Sequence, residues 1–330
     1  MRQADGGAVV MKHLALLFVS LTAAFAAVDG TVINRTTGKP QPGAIVALYR
    51  LGAETGPEEI STVRADAQGK FHIDQTPQGP HLLQSVWAGV TYNHILPPGS
   101  PTSNVELEVY EASTHPGKAQ VSEHMVLFEP ADNQLNVSES YIFHNEGNIT
   151  YNDPDKGTLR FFLPEAAGGV VRVTATAPQG MPVQHAAQKT AAANIYELDL
   201  PIKPGDTRID LTYATPFSSP GEFAGKLLYK GGPTRLVAPQ GVTLAGDGIA
   251  QIGQEPQTQA TIYSVTGDQY KVQVAGAGSL RASEPAAEED SGPSIEEVLP
   301  RIYSNRLLIA GLSLLILALG FVLLYRRTAP

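Results

Sequence analysis

The chain has 330 residues, a formal net charge of −9, 32 glycines, 25 prolines and no cysteine. That length accommodates two modest domains plus targeting segments, and the missing thiols exclude a disulfide framework, a thiolate metal site and an acylated-cysteine anchor. An acidic balance with no basic patch argues against nucleic-acid binding, and many short apolar stretches separated by turn residues read as all-β.

In chain order, residues 1–10 are polar, and Met11 is a candidate true start. Met11-Lys12-His13, the apolar run Leu14–Ala23 and the small-residue end Ala24-Phe25-Ala26 have the three-part form of a signal peptide cleaved after Ala26, so residues 1–26 are assigned to an extension and leader. Residues 28–113 read as a first β-domain. A strand starts at Gly30-Thr31-Val32-Ile33, the loop Thr36–Gly43 is rich in turn formers, and Ala44–Leu51 puts Ala44, Val46 and Leu48 on one face. Ser61–Arg64 and Lys70–Ile73 flank Asp66-Ala67-Gln68-Gly69, read as a hairpin turn; Pro77-Gln78-Gly79 makes another turn. His81–Trp87, Val90–Ile95 and Val105–Tyr110 complete the set.

The stretches GTVINRTTGKPQPGAIVALYRL, VRADAQGKFHI and TPQGPHLLQSVWAGVTY together resemble the carboxypeptidase regulatory-like domain. The matching positions run in family order: Gly30, Val32, the Gly38–Pro40 turn, Pro42-Gly43-Ala44, Val46, Leu48, Asp66, Gly69-Lys70-Phe71, Pro77, Gly79, Gly89 and Tyr92. The chain departs at Ala65, where the family often has Thr. The resemblance implies a small transthyretin-like sandwich acting as an accessory module of an exported protein. It supplies no catalytic residues and no zinc peptidase chemistry.

Residues 117–275 read as a second sandwich, immunoglobulin-like or related, with an appended hairpin. Its strands are Gln120–Phe128, Leu135–Phe143, Thr158–Leu163, Val170–Ala177, Ile195–Leu200, Arg208–Ala214, Glu222–Tyr229 and Arg235–Ala238. In Arg208–Ala214, Ile209, Leu211 and Tyr213 alternate with Arg208, Asp210 and Thr212, the period of a strand with one wet face. Pro204-Gly205-Asp206 is the turn feeding it. Thr261–Val265, Gly267-Asp268 and Tyr270–Val274 read as the hairpin.

Residues 276–305 form an acidic stalk and juxtamembrane segment, with Ser294-Ile295-Glu296-Glu297 as a capping box limited by Pro300. Residues 306–327 hold the uncharged run Leu307–Tyr325; about 20 apolar residues cross a ~30 Å hydrocarbon core as a helix. Residues 328–330 are a cytoplasmic tail. The expected fold class is therefore all-β, two tandem β-sandwich domains with a C-terminal single transmembrane helix. The signal peptide carries the orientation: single-pass in the cytoplasmic (inner) membrane, the bulk of the chain on the periplasmic or extracellular side. The Arg pairs flanking the helix balance one another. The only sorting-motif candidate, Leu299-Pro300-Arg301-Ile302-Tyr303, lacks the required Thr-Gly, so the helix is expected to be retained.

No catalytic, cofactor-binding or metal-ligating residue is assigned. His13, His72, His81, His94, His115, His124, His144 and His185 form none of the spacings that gather metal ligands, leaving His81 and His94 on neighbouring strands as the one pair to inspect. Asp66–Asp74 and the Asn152, Asp153, Asp155 turn read as turns before calcium loops. Nucleophile-elbow and P-loop motifs are absent. Asn34, Asn136 and Asn148 head N-glycosylation triplets, expected to be idle. Trp87 and Tyr92 are expected to fill the first core rather than a carbohydrate face. The leading expectation is a non-catalytic envelope protein without cofactors, contacting the bilayer through Leu307–Tyr325 and binding or positioning an envelope protein or glycan partner. A carbohydrate-binding or adhesion module is the second reading, and a metal-assisted hydrolase built from dispersed His and Asp residues the third.

Overall fold

The computed structural model describes residues 27–52, 56–75, 79–229 and 231–280, all within one compact unit. The leader, the stalk from residue 281 onward, the capping box, the apolar run, the tail and the turn residues Pro77 and Gln78 lie outside the described residues. Among the described residues no helix is long and apolar enough to cross a membrane, and the chain is all-β apart from one 3-10 turn, Glu165–Ala167.

The first eight strands are β1 (Val28–Asn34), β2 (Lys39–Pro40), β3 (Ile45–Gly52), β4 (Gly56–Arg64), β5 (Lys70–Ile73), β6 (His81–Trp87), β7 (Val90–Leu96) and β8 (Val105–Val109). Along β1 buried and half-buried residues alternate strictly, as one covered sheet face requires. One sheet has β1 between β5 and a parallel β8, with β2 at its end; the other runs β4-β3-β6-β7. Val28, Val32, Phe71, Ile73 and Leu107 from the first sheet meet Val46, Leu48, Leu83 and Tyr92 from the second in one shared core. The Asp66–Gly69 turn is tight, with Asp66 Oδ1 accepting from the amides of Gln68 and Lys70 at 2.8 Å each. It is not a hairpin of paired strands, because β4 pairs β3 and β5 pairs β1. It is an arch between sheets, and Gly69 (φ +72°) passes the backbone of Gln41 and the ring of Pro40 too closely for any side chain.

The remaining strands are β9 (Glu111–Ser113), β10 (Ala119–Ala131), β11 (Gln134–Asn145), β12 (Ile149–Tyr151), β13 (Leu159–Phe162), β14 (Arg172–Thr176), β15 (Val183–His185), β16 (Gln188–Lys189), β17 (Ile195–Leu198), β18 (Gly205–Pro216), β19 (Gly221–Lys226), β20 (Thr234–Ala238), β21 (Val242–Ala245), β22 (Ile249–Gln254), β23 (Thr261–Val265) and β24 (Gln269–Gly276). The main sheet is eight-stranded, ordered β15-β14-β18-β11-β10-β20-β23-β22, and two three-stranded sheets, β13-β17-β16 and β19-β24-β21, complete this part. Their inner faces share a second core that includes Phe128, Phe161, Ile209, Leu211, Phe223, Val272 and Val274. The long β10–β11 hairpin turns on Asp132 and Asn133, both at positive φ (51° and 61°), as a primed two-residue turn demands.

The hairpin expected over Thr261–Val274 is absent. β23 pairs with β20 and β22, while β24 pairs with β19 and β21. Gly267 (φ +100°) turns the corner between two sheets, not between two neighbours. Both strands keep their alternation in sequence, and that alternation does not say which partner each one finds. Beyond β24 the chain stays attached: Gly278 donates to the Pro130 carbonyl at 3.4 Å, and Leu280 N donates to Glu129 Oε1 at 2.8 Å. The first residues of the stretch read as stalk are thus fixed to the tip of the β10–β11 hairpin.

Candidate binding cleft

Where the two cores meet, the chain forms a junction of side-chain and backbone bonds. β9 continues directly from the first core and pairs in parallel with β12 of the second. Tyr92, on β7, is 6% exposed and its hydroxyl reaches across to Thr150 Oγ1 at 2.9 Å while donating to the Tyr110 carbonyl at 3.1 Å. Burial pushes the phenol up to about 12, so Tyr92 stays neutral and acts as a hydrogen-bonding strut. Asn148 Nδ2 donates to the Thr36 carbonyl at 3.3 Å, and Thr36 Oγ1 bonds the Asn148 carbonyl in return. Glu111 accepts from Asn34 Nδ2 at 2.6 Å and from Trp87 Nε1 at 3.1 Å.

Beside this junction lies a cavity of about 320 Å³. One wall is Tyr92, Asn93 and His94 of β7 with Glu106 and Glu108 of β8; the other is the Ala177–Gly180 loop and Lys203-Pro204. The loop wall is placed by backbone bonds. Asn145 Nδ2 donates to the carbonyls of Ile149 (2.9 Å) and Ile202 (3.1 Å), and Ile202 exchanges both backbone bonds with Tyr151 at 2.8 and 3.0 Å. Ile202 is fully buried, Pro204 fixes the next φ, and Gly205 (φ +100°) fits against the Pro178 ring.

Lys203 is delivered by this arrangement. Its ammonium lies 5.1 Å from the centroid of the Tyr92 ring, a cation–π contact. Among the described residues it has neither a carboxylate partner nor a hydrogen bond, and burial lowers its pKa to about 8. For a lysine held below its unfolded value, the unfolded chain binds more protons between the two pKa values. Stability should therefore rise as pH increases from about 8 toward 10.5. Urea midpoints at about pH 7 and about pH 10 should show this rise in the native chain and not in Lys203→Met.

Glu108 and Glu106 on the facing wall both bind Arg35, Glu108 Oε1 at 2.8 Å from Nε. Glu106 uses only Oε1 for this; its second oxygen has no protein partner among the described residues. The cleft thus presents a cation on one side and a net negative wall on the other.

The second constellation is internal. Glu139 sits on the inward face of β11, 6% exposed. Its carboxylate accepts from Tyr213 OH at 2.5 Å and Tyr141 OH at 2.8 Å, with His124 Nε2 at 3.2 Å. The carboxylate oxygen that accepts from Tyr141 also accepts from His124 when the ring proton is on Nε2. His124 Nδ1 meets Thr234 Oγ1 at 3.3 Å, and Tyr229 OH reaches the same hydroxyl at 3.2 Å. The His124 ring stacks on Tyr141 at 4.1 Å. Burial, reinforced by the Glu139 charge, drives Tyr141 and Tyr213 well above the ordinary phenol range. The members hydrogen-bond one another across β18, β11, β10 and β20, so the cluster ties four neighbouring strands of the main sheet together rather than offering a reactive group.

The other sequence candidates are dispersed. His81 and His94 are diagonal neighbours, paired with Leu96 and Leu83, and His81 Nδ1 bonds the Gly79 carbonyl at 3.0 Å. His72 lies 2.8 Å from Asp74, and His144 2.5 Å from Asp206, which raises the His144 pKa. Asp153 Oδ1 accepts from Lys156 N at 3.1 Å and closes its own turn. Among the described residues no three His, Cys, Asp or Glu side chains gather as a metal site. Asn34 is 1% exposed with its amide committed to Gln41 and Glu111, so it is closed to glycosylation. Reading residue types along the chain missed Lys203, because a lysine between a strand and a Pro-Gly turn looks like any solvated cation.

No protein-family model matches the sequence, and no curated protein matches it. Among solved structures, a mutant M1 zinc metallopeptidase from Deinococcus radiodurans bound to a Tyr-Ser-Ala substrate is 15% identical with a TM-score of 0.26, covering 54% of this chain and 51% of that one. A two-domain M1 zinc metallopeptidase mutant bound to L-tryptophan is 14% identical at 0.25, covering 47% and 43%. The chain spans about half the length of these proteins or less, and a likeness at such scores carries no argument for fold or activity.

Proposed function

We propose that the chain is a non-catalytic, single-pass envelope protein that holds a ligand or partner in a cleft between two tandem β-sandwiches outside the cytoplasmic membrane. The first sandwich would be of the carboxypeptidase regulatory-like kind. The leader-like residues 1–26, the acidic stretch after residue 276 and the apolar run Leu307–Tyr325 support the location. The observation that carries the binding role is Lys203: a half-buried ammonium on a cavity wall with no carboxylate partner among the described residues. Removing such a charge from bulk water costs free energy that an incoming group can offset.

Acylation of lysines in spheroplasts with a membrane-impermeant reagent, read by mass spectrometry, tests both parts. Lys203 is expected to react less there than in the detergent-purified full chain, while exposed Lys189 and Lys226 react equally in both. Equal reaction of Lys203 would overturn the native occupant. Unreactive Lys189 and Lys226 in spheroplasts would overturn the location.

A further inference from the structure

The charges of the cleft limit what fits it. Lys203 stands on the wall formed by the Ala177–Gly180 loop and the turn before β18. Glu106 and Glu108 stand on the β8 wall, where one guanidinium, Arg35, serves both carboxylates. That wall keeps one net negative charge and one carboxylate oxygen of Glu106 free of protein partners among the described residues. A polyanion would meet repulsion there, and a cation alone would leave Lys203 unneutralised. The volume, about 320 Å³, lies at the small end of ligand sites, which span about 300–1,000 Å³. Between the charges the lining offers the apolar surfaces of Tyr110 and Pro178, both half-buried.

Resting on the binding role proposed above, we infer that the cleft takes a small zwitterion of the amino-acid or short-peptide class, its carboxylate on Lys203 and its ammonium on Glu106. An apolar side chain of that ligand lies along Tyr110 and Pro178. Lys203 supplies the stronger contact, because its charge is half withdrawn from water, whereas Glu106 is 53% exposed and screened. Arg35 keeps Glu106 in place and prevents the acidic wall from becoming a general cation site.

Calorimetric titration of the full chain in detergent with alanyl-leucine, N-acetyl-alanyl-leucine and alanyl-leucine amide tests this. The dipeptide is expected to bind best. Lys203→Met should weaken it about tenfold while leaving the amide unchanged; Glu106→Gln should weaken it about threefold while leaving the acetylated form unchanged. Methionine matches the length of the lysine stem, so this variant retains the packing. If the acetylated and free dipeptides bind alike and both depend on Lys203, the ammonium subsite is wrong and the binding role stands. If none of the three binds, or if binding ignores Lys203, the inference is overturned.

Discussion

The Glu139→Ala variant is expected to lose about 3–5 kcal/mol of stability, because three buried donors lose their shared acceptor at once. The methyl group would leave the hydroxyls of Tyr141 and Tyr213 and Nε2 of His124 without their acceptor. Each such orphaned donor costs about 1–3 kcal/mol when water cannot reach it, and His124 is only 1% exposed. Glu139→Gln should fall between the two, since its amide oxygen still accepts while its NH2 meets donors on the same side. Urea unfolding followed by tyrosine near-ultraviolet circular dichroism measures the loss. The sole tryptophan, Trp87, sits in the first core's half of the junction, so its fluorescence shows whether the two cores unfold together. A loss under about 1 kcal/mol would mean the cluster is not the tie described above.

Gly30→Ala is expected to destabilise the first core by about 3 kcal/mol, the upper part of the range for overpacking. A Cβ at Gly30 would fall 1.9 Å from the Val105 carbonyl oxygen and 2.9 Å from Cε1 of Phe71. Gly30 pairs with Val105 in the parallel β1–β8 ladder, so the backbone, not a flexible side chain, must give way. The glycine is required for space; its φ is ordinary. Gly253→Ala is the control, since its added methyl meets nothing within 4 Å and its φ is not positive; it should be near neutral. Thermal unfolding followed by Trp87 fluorescence compares the two, and equal midpoints would overturn the account.

Much of the strand content was legible because period-2 alternation is written into residues such as Ile209, Leu211 and Tyr213. The same alternation already placed Glu139 among Leu135, Val137, Tyr141 and Phe143; the signal was present and passed over. His124 was different. A β-bulge between Val121 and Glu123 shifts the phase of β10, so counting by twos from Val121 puts His124 on the wrong face. Gly232 accommodates that bulge, donating its N–H to the Val121 carbonyl at 2.7 Å where any side chain would meet the Ser122 carbonyl. Sheet membership was beyond reach where a turn such as Gly267-Asp268 joins strands of different sheets. The cleft was beyond reach for a related reason. Lys203 and Glu106 come from segments that are neighbours only through the junction, which rests on bonds such as Tyr92 to Thr150.

The parallel pairing of β10 with β20, which sets His124 opposite Thr234, also dictates an order in time. The β10–β11 hairpin closes through a two-residue turn and can form as soon as it is made. β18 then has to arrive for Tyr213 to reach Glu139, and β20 later still for Thr234 to reach His124. Until then one edge of β10 has unpaired backbone groups, and a buried-to-be carboxylate stands in a half-built interior. Contacts this distant in sequence make a chain slow to fold. For a protein that emerges from one end, the interval between β11 and β20 is when another strand can take the place of β20. An edge left open at that stage is exposed to wrong strand pairing, and the arrival of β20 closes it.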